Sequence, residues 1–163
     1  MAVRKILLDD DLNEDFSLLA IHCSEEDYKV AYSLNKYLNL RLQRQETDLF
    51  LSQNEMEVSF PIFQFEDLFQ YTTYYLVGNK CKTVTQSAEA IGGLFDGGAS
   101  ERTLISYLLP EFKNADFFLK IESDFESIPL RKNLAIINEI KQVISAYEIQ
   151  SDQIKSYNNL IFS

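Results

Sequence analysis

The first part of the chain contains two short strand-like segments and, between them, a stripe of apolar residues at helical spacing. Residues 16–23 form a compact apolar run, which predicts a buried central strand. Apolar positions three and four residues apart then predict a helix over 25–38, capped by Ser24 and ended by Asn39 in the left-handed conformation. Residues 40–45 alternate apolar and polar, the period of a strand with one face in water.

An aromatic and β-branched segment follows and predicts a hairpin. Its strands are expected at 57–65 and 70–77, because these residue types favour the extended conformation and only four residues separate the runs. Pro61 cannot donate a ladder hydrogen bond. The first strand is therefore expected to lie at a sheet edge or to carry a bulge.

The second part of the chain repeats the strand, helix, strand order. Two strands are predicted at 103–109 and 115–122, followed by a helix over 130–142 and a strand over 143–149. Before them, residues 83–100 lose all periodicity and contain four of the five glycines. This stretch predicts a flexible glycine-rich loop.

These elements predict an α+β fold. Two strand–helix–strand units in one mainly antiparallel sheet, with two main helices, generate a ferredoxin-like sandwich in which the aromatic hairpin is an insertion. The composition, 46% apolar with 3 Pro and 5 Gly, is that of a folded chain with a sizeable core. No linker or repeat divides it, so residues 1–163 are expected to form a single domain.

The charge balance limits the partners of the chain. It has 15 basic and 25 acidic residues, a net charge of −10, which opposes binding to nucleic acid and to anionic membranes. No apolar run is long enough for a membrane span or an export signal, which predicts a cytoplasmic protein. Cys23 and Cys81 are too few and too distant for a disulfide framework or a metal knuckle, and we expect free thiols.

Three patterns carry candidate chemistry, and none passes the specific tests. Residues 9–15 contain five acids, but an EF-hand would have Gly where Phe16 stands, so a solvated acidic turn is favoured over a cation site. Residues 93–100 have the spacing of a phosphate-binding loop with Ala99 in place of its lysine. His22 lies in an apolar strand and is expected to be a structural histidine in the core. We therefore predict no enzyme, no catalytic residue, no cofactor and no metal.

The predicted hairpin concentrates aromatic side chains. Nucleobase-stacking surfaces carry Arg and Lys among their aromatic residues, and no basic residue lies between Arg44 and Lys80. The cluster is expected to pack in the core or, if part of it stays uncovered, to bind a partner. Its members are Phe60, Phe63, Phe65, Phe69, Tyr71, Tyr74 and Tyr75.

Residues 109–117, Leu-Pro-Glu-Phe-Lys-Asn-Ala-Asp-Phe, resemble the Ile-Pro-Glu-x-x-x-Val-Asp-Tyr signature of the IPExxxVDY family. Segments 16–28, 118–121 and 158–162 are also similar to family sequence, so the resemblance covers nearly the whole chain. It implies a cytosolic bacterial protein and no chemistry. Leu109, Ala115 and Phe117 depart from the signature, and the lost tyrosine hydroxyl puts in doubt any mechanism that needs it.

The polar residues of this motif are predicted to have scaffold roles, with recognition as the alternative. Pro110 favours an extended Leu109 and ends the strand. Glu111 would open a short turn, and Asp116 would accept hydrogen bonds from nearby amides. Pro110, Glu111 and Asp116 are the candidate recognition residues.

The sequence therefore predicts a non-enzymatic interaction or scaffold module. Its hairpin and acidic turns would meet another protein, with a basic partner favoured by charge. The alternative is a regulatory domain that senses a small metabolite, by analogy with other ferredoxin-like domains. A homo-oligomer is compatible with either function.

Overall fold

The structure is a computed structural model that describes residues 16–86, 101–124 and 128–162. Within these ranges the chain forms ten strands and two α-helices. The strands are β1 (Phe16–Cys23), β2 (Gln43–Arg44), β3 (Leu49–Gln53), β4 (Met56–Phe60), β5 (Ile62–Asp67), β6 (Thr72–Gly78), β7 (Lys80–Gln86), β8 (Glu101–Tyr107), β9 (Phe117–Ser123) and β10 (Val143–Ile149), and the helices are α1 (Asp27–Leu38) and α2 (Leu130–Glu139). Short 3-10 turns cover Pro110–Phe112, Ser151–Gln153 and Tyr157–Leu160.

Six strands form one sheet in the order β10-β1-β9-β6-β5-β2, and every neighbouring pair is antiparallel. The inner order β10-β1-β9-β6, with α1 following β1 and α2 preceding β10, is the order of a ferredoxin-like sandwich. The α+β class and the mainly antiparallel sheet are therefore confirmed. Two separate hairpins, β3–β4 and β7–β8, are inserted in this framework.

Both helices pack on one face of the sheet. Leu19 and Ile21 of β1 and Leu119 and Ile121 of β9 point to that face and are fully buried. The helices cover them with Val30, Ala31 and Leu34 of α1 and Ile137 of α2. Burying the Val, Leu and Ile side chains contributes about 1.5–3 kcal/mol each, which explains why these weakly capped helices are stable here.

The opposite face of the sheet is covered by hairpins and loops. Leu18, Ala20 and Phe118, which alternate with the helix-side residues, form a second buried cluster with Phe60 of β4. Leu108 and Leu109 of the β8–β9 connection complete it, together with Ile154 and Leu160 of the C-terminal segment, residues 150–162. The sheet is thus buried on both sides, as the unbroken apolar run of β1 predicts.

The second strand of the first strand–helix–strand unit was predicted wrongly. The 40–45 segment contributes only the two-residue edge strand β2, and β6 takes the place beside β9. The aromatic hairpin is consequently β5–β6, a part of the main sheet and not an insertion. Pro61 divides the predicted 57–65 strand into β4 and β5, which belong to different sheets, because it lacks the amide that a continuous ladder needs.

The predictions that depend only on neighbouring residues were partly confirmed. Asn39 ends α1 with φ 56° and ψ 46°, and β10 covers the predicted 143–149. The helices are shorter than the predicted 25–38 and 130–142. Ser24 does not cap α1: Glu26 takes the cap position, and its side chain makes no capping hydrogen bond.

The glycine-rich loop predicted at 83–100 overlaps a strand, because residues 83–86 belong to β7 and pair with β8. β-branched side chains at positions 83–85 favour this extension. Residues 87–100 and the acidic cluster at 9–15 lie outside the described residues.

Candidate functional site

The motif residue Glu111, which follows Pro110 in a short 3-10 turn, anchors the C-terminal segment to the body of the protein. Pro110 opens the 3-10 turn after an extended Leu109, as its restricted φ predicts. Glu111 Oε2 accepts hydrogen bonds from the Lys155 amide at 3.0 Å and from Ser156 Oγ at 3.2 Å. Glu111 Oε1 is buried with no hydrogen-bond partner among the described residues.

Asp116 joins the ends of two other strands. Its Oδ2 accepts a hydrogen bond from the amide of Cys23 at 2.8 Å, and its Oδ1 pairs with Lys80 Nζ at 2.8 Å. Glu111 and Asp116 therefore bind different segments of the chain and do not converge on one site. Both act as acceptors within the scaffold.

Asn79 organises the loop that carries this motif. It is fully buried, and its side-chain amide donates to the carbonyls of Phe112 and Ala115, both at 2.8 Å, and accepts from the Leu109 amide at 2.9 Å. Its backbone amide donates to the Asp116 carbonyl, and its backbone carbonyl accepts from the Leu108 amide. Sequence reasoning missed Asn79, because an asparagine after glycine is typical of an ordinary turn.

A buried lysine holds the far end of the C-terminal segment. Lys120 in β9 is only 5% exposed, and its Nζ lies 2.7 Å from the Leu160 carbonyl oxygen and 2.7 Å from Glu122 Oε1. The ammonium group also lies within 6 Å of three aromatic ring centres, an arrangement that stabilises a desolvated cation. The rings belong to Phe16, Tyr75 and Phe162, at 4.7, 5.6 and 4.8 Å.

His22 and Cys23 do not form a reactive pair. His22 Nε2 lies 3.3 Å from the hydroxyl of Tyr147 and is half-buried, so it is not the core histidine that the apolar run predicts. Cys23 is a buried free thiol, as predicted, and its Sγ contacts the Gln142 carbonyl at 3.4 Å. Burial raises the pKa of this thiol, which lowers its nucleophilic reactivity at neutral pH.

The aromatic cluster divides into a buried part and an exposed tip. Phe60, Phe63 and Tyr74 are buried in the two cores. The hairpin tip, residues 68–71 between β5 and β6, instead exposes Leu68 by 70%, Phe69 by 97% and Tyr71 by 60%. Phe69 is therefore almost wholly in contact with water.

Hydrogen bonds of the backbone to the Asp67 side chain and to Asp124 define the conformation of this tip. Asp67 Oδ1 accepts hydrogen bonds from the amides of Phe69 and Gln70 at 3.0 and 3.2 Å. Tyr71 has a φ of 50°, a left-handed conformation that is costly for a bulky side chain. The Tyr71 carbonyl accepts from the Asp124 amide at 3.2 Å, which ties the tip to the end of β9.

Carboxylates surround the hairpin tip. Glu66 and Glu122 occupy one row across β5, β6 and β9, with Thr73 between them. A cavity of about 590 Å³ lies beside this row and is lined by Glu66, Asp67, Leu68, Tyr71, Thr72, Thr73, Glu122, Ser123 and Asp124. Burial, followed by the nearby Glu122 and Glu66 carboxylates, raises the pKa of Tyr75 on the adjoining strand. The tip thus combines apolar side chains with a negative surround.

Metal ligands do not gather in the part of the chain that the structure describes: no three His, Cys, Asp or Glu side chains are placed to share an ion. Over the same residues, neither helix has the length and apolar character required to cross a bilayer.

Comparisons with protein-family models, with curated proteins and with solved structures each found no match for this chain. The fold and the surface features described above therefore carry the functional inference by themselves. They define an α+β sandwich of ferredoxin-like strand order with an exposed aromatic hairpin tip.

Proposed function

We propose that this chain is a protein-interaction module whose hairpin tip docks a basic partner protein. The supporting observation is Phe69, which is 97% exposed at the end of a strand pair that belongs to the main sheet. An exposed aromatic side chain on a defined turn is costly to maintain in water and is well suited to fill a pocket on a partner.

The charge around the tip supports a partner with Lys or Arg beside its apolar pocket. Glu66 and Asp124 are exposed, while Asp67 is engaged in the turn and Glu122 is paired with Lys120. Opposite charges at the rim of an interface increase the association rate and select the partner, while a central aromatic anchor supplies most of the affinity. A basic partner also suits the net charge of −10. Membership of the IPExxxVDY family and a cytoplasmic location remain predictions from the sequence.

An array of synthetic peptides tests this proposal. Each peptide carries one Leu or Phe flanked by zero to four Lys or Arg residues, and acidic peptides of the same length serve as the reference. We expect binding to increase with the number of basic residues and to weaken with salt. Phe69→Ala should reduce it at least about tenfold, as for an interface anchor.

Charge and control variants separate the tip from the rest of the surface. The double variant Glu66→Gln, Asp124→Asn should lose most of the salt dependence of peptide binding. Phe50→Ala on β3 and Glu57→Gln on β4 change the same residue types at exposed positions of the other hairpin and should leave binding unchanged. Binding of basic peptides that is equally strong in all variants, or no preference for basic peptides, would refute the proposal.

A further inference from the structure

A second cavity lies on the helix side of the molecule, away from the hairpin tip. It has a volume of about 350 Å³ and lies between α1 and the start of β10, and we refer to it as the α1 groove. Its floor is made by the buried side chains of Cys23, Val30, Leu34 and Ile140. The volume and the apolar floor are those of pockets that bind small molecules.

The rim of the α1 groove carries two lysines, hydroxyl groups and the Glu25 carboxylate. Lys29, Ser33 and Lys36 follow one another at spacings of four and three residues and therefore line one face of α1. Lys29 Nζ pairs with Glu25 at 3.3 Å. Lys36 Nζ lies 5.4 Å from the centre of the Tyr37 ring, and no carboxylate of the described residues lies within ion-pair distance of it. Lys36 is thus a cation available at the mouth of an apolar groove.

We propose that the α1 groove binds a small carboxylate with an apolar tail. The tail would replace water over the floor of the groove, where burial contributes about 25 cal/mol per Å² of apolar surface. The carboxylate would pair with the Lys36 ammonium and accept a hydrogen bond from Ser33 or Tyr37. The net charge of −10 does not prevent this, because at physiological salt charges beyond about 8 Å are largely screened.

This inference is independent of the proposed partner protein. It gives the predicted metabolite-sensing function a location and a ligand class, and it depends on none of the residues of the hairpin tip. Phe69→Ala should therefore leave ligand binding to the groove unchanged.

Three probes with the same tail test the inference: decanoate, decanol and decylamine, each below its aggregation concentration. Dissociation constants are measured by calorimetry, and the reactivity of the Cys23 thiol is followed in a Cys81→Ser background. We expect decanoate to bind more tightly than decanol and to slow the labelling of Cys23, which lies on the floor of the groove. Decylamine should bind more weakly than decanoate, because its charge repels Lys36.

Two variants and one control complete the test. Lys36→Gln should weaken decanoate binding at least about fivefold and leave decanol binding unchanged, and Ser33→Phe, which fills the groove, should weaken the binding of both. Lys132→Gln on α2 is the matched control and should have no effect. Circular dichroism and melting temperatures establish that each variant is folded. Absence of decanoate binding up to millimolar concentration, or binding insensitive to both variants, would overturn the inference.

Discussion

Asn79 shows how one buried side chain can hold a loop. Three hydrogen bonds connect its amide group to the backbone of residues 109, 112 and 115, and its backbone adds two more. Each backbone group left unsatisfied in the interior costs about 1–3 kcal/mol. The loop that carries Pro110, Glu111 and Asp116 therefore depends on a residue 30 or more positions earlier in the chain.

We accordingly expect Asn79→Ala to lower the free energy of unfolding by about 3–5 kcal/mol, because two buried backbone groups and one part-buried carbonyl lose their partner. Asn133→Ala on α2 is the control, with an expected change within about 0.5 kcal/mol. Urea unfolding followed by circular dichroism measures both. A loss below 1 kcal/mol for Asn79→Ala would show that the loop is held by other contacts.

The buried thiol and phenol groups predict a loss of stability in alkali. Burial raises the pKa of Cys23 above its ordinary 9.0 and that of Tyr74 above its ordinary 10.0. The folded state therefore holds these protons more strongly than the unfolded state. Their contribution to stability is complete below these ordinary values and is lost as pH rises through the raised ones.

Urea unfolding at pH 8 and pH 10.5 should therefore give a smaller free energy of unfolding at the higher pH. Tyr74→Phe removes one of these protons and should reduce the difference between the two pH values. Tyr32→Phe, at an exposed position of α1, is the control. An identical pH dependence in the Tyr74→Phe variant and the native chain would contradict the assignment.

Among the elements, the C-terminal segment is held by side-chain hydrogen bonds that connect it to the rest of the chain. Glu111 accepts from its Lys155 amide, Lys120 donates to its Leu160 carbonyl, and Asn159 Nδ2 donates to the Leu108 carbonyl at 2.8 Å. Its two 3-10 turns are too short to be stable alone. Tertiary contacts therefore supply the stability of this segment.

We expect Glu111→Ala to loosen this segment more than it destabilises the whole protein. The Lys155 amide loses its acceptor, worth about 1–2 kcal/mol, so its hydrogen exchange should accelerate about 5- to 30-fold. Glu111→Gln keeps an oxygen acceptor and should have a smaller effect, and Glu139→Ala on α2 should have none. Exchange of the Lys155 amide at the native rate in Glu111→Ala would contradict the role given to Glu111.

At the scale of the whole molecule, the net charge of −10 opposes the compact state. Four ion pairs among the described residues act in the opposite direction, but three of them lie near the surface and contribute little. Added salt should therefore reduce the repulsion among the acidic side chains more than it weakens the ion pairs.

The melting temperature should consequently rise between 20 and 300 mM NaCl, and a gain of about 1 kcal/mol corresponds to about 2–4 °C for a chain of this size. Replacing the exposed Glu57 and Glu148 by Lys changes the net charge from −10 to −10 + 4 = −6 and should reduce the rise. A melting temperature that falls with salt would show that the ion pairs dominate.

Local features were predictable because their causes lie within a few residues. The left-handed Asn39, the end of the β8 strand before Pro110 and the full extent of β10 follow from the nearby residue types. The prediction that residues 40–45 form the full strand after α1 in the sheet was wrong, because strand pairing depends on residues far away in the chain. A strand can be recognised from its own residues, but the strand that pairs with it depends on which apolar faces pack best. The seven residues of β6 bury more apolar surface than the two residues of β2 can.

The sequence alone determined the α+β class, the two helices and the strand segments other than β3 and β7, since the spacing of apolar side chains sets which face of each element is buried. Tertiary structure decided the rest: the strand order, the burial of Lys120 under the C-terminal segment, the buried Asn79 and the exposure of Phe69. These depend on contacts between residues far apart in the chain, such as Asn79 with Ala115 or Lys120 with Leu160. A side chain becomes buried, paired or exposed only when the distant segments that surround it are in place.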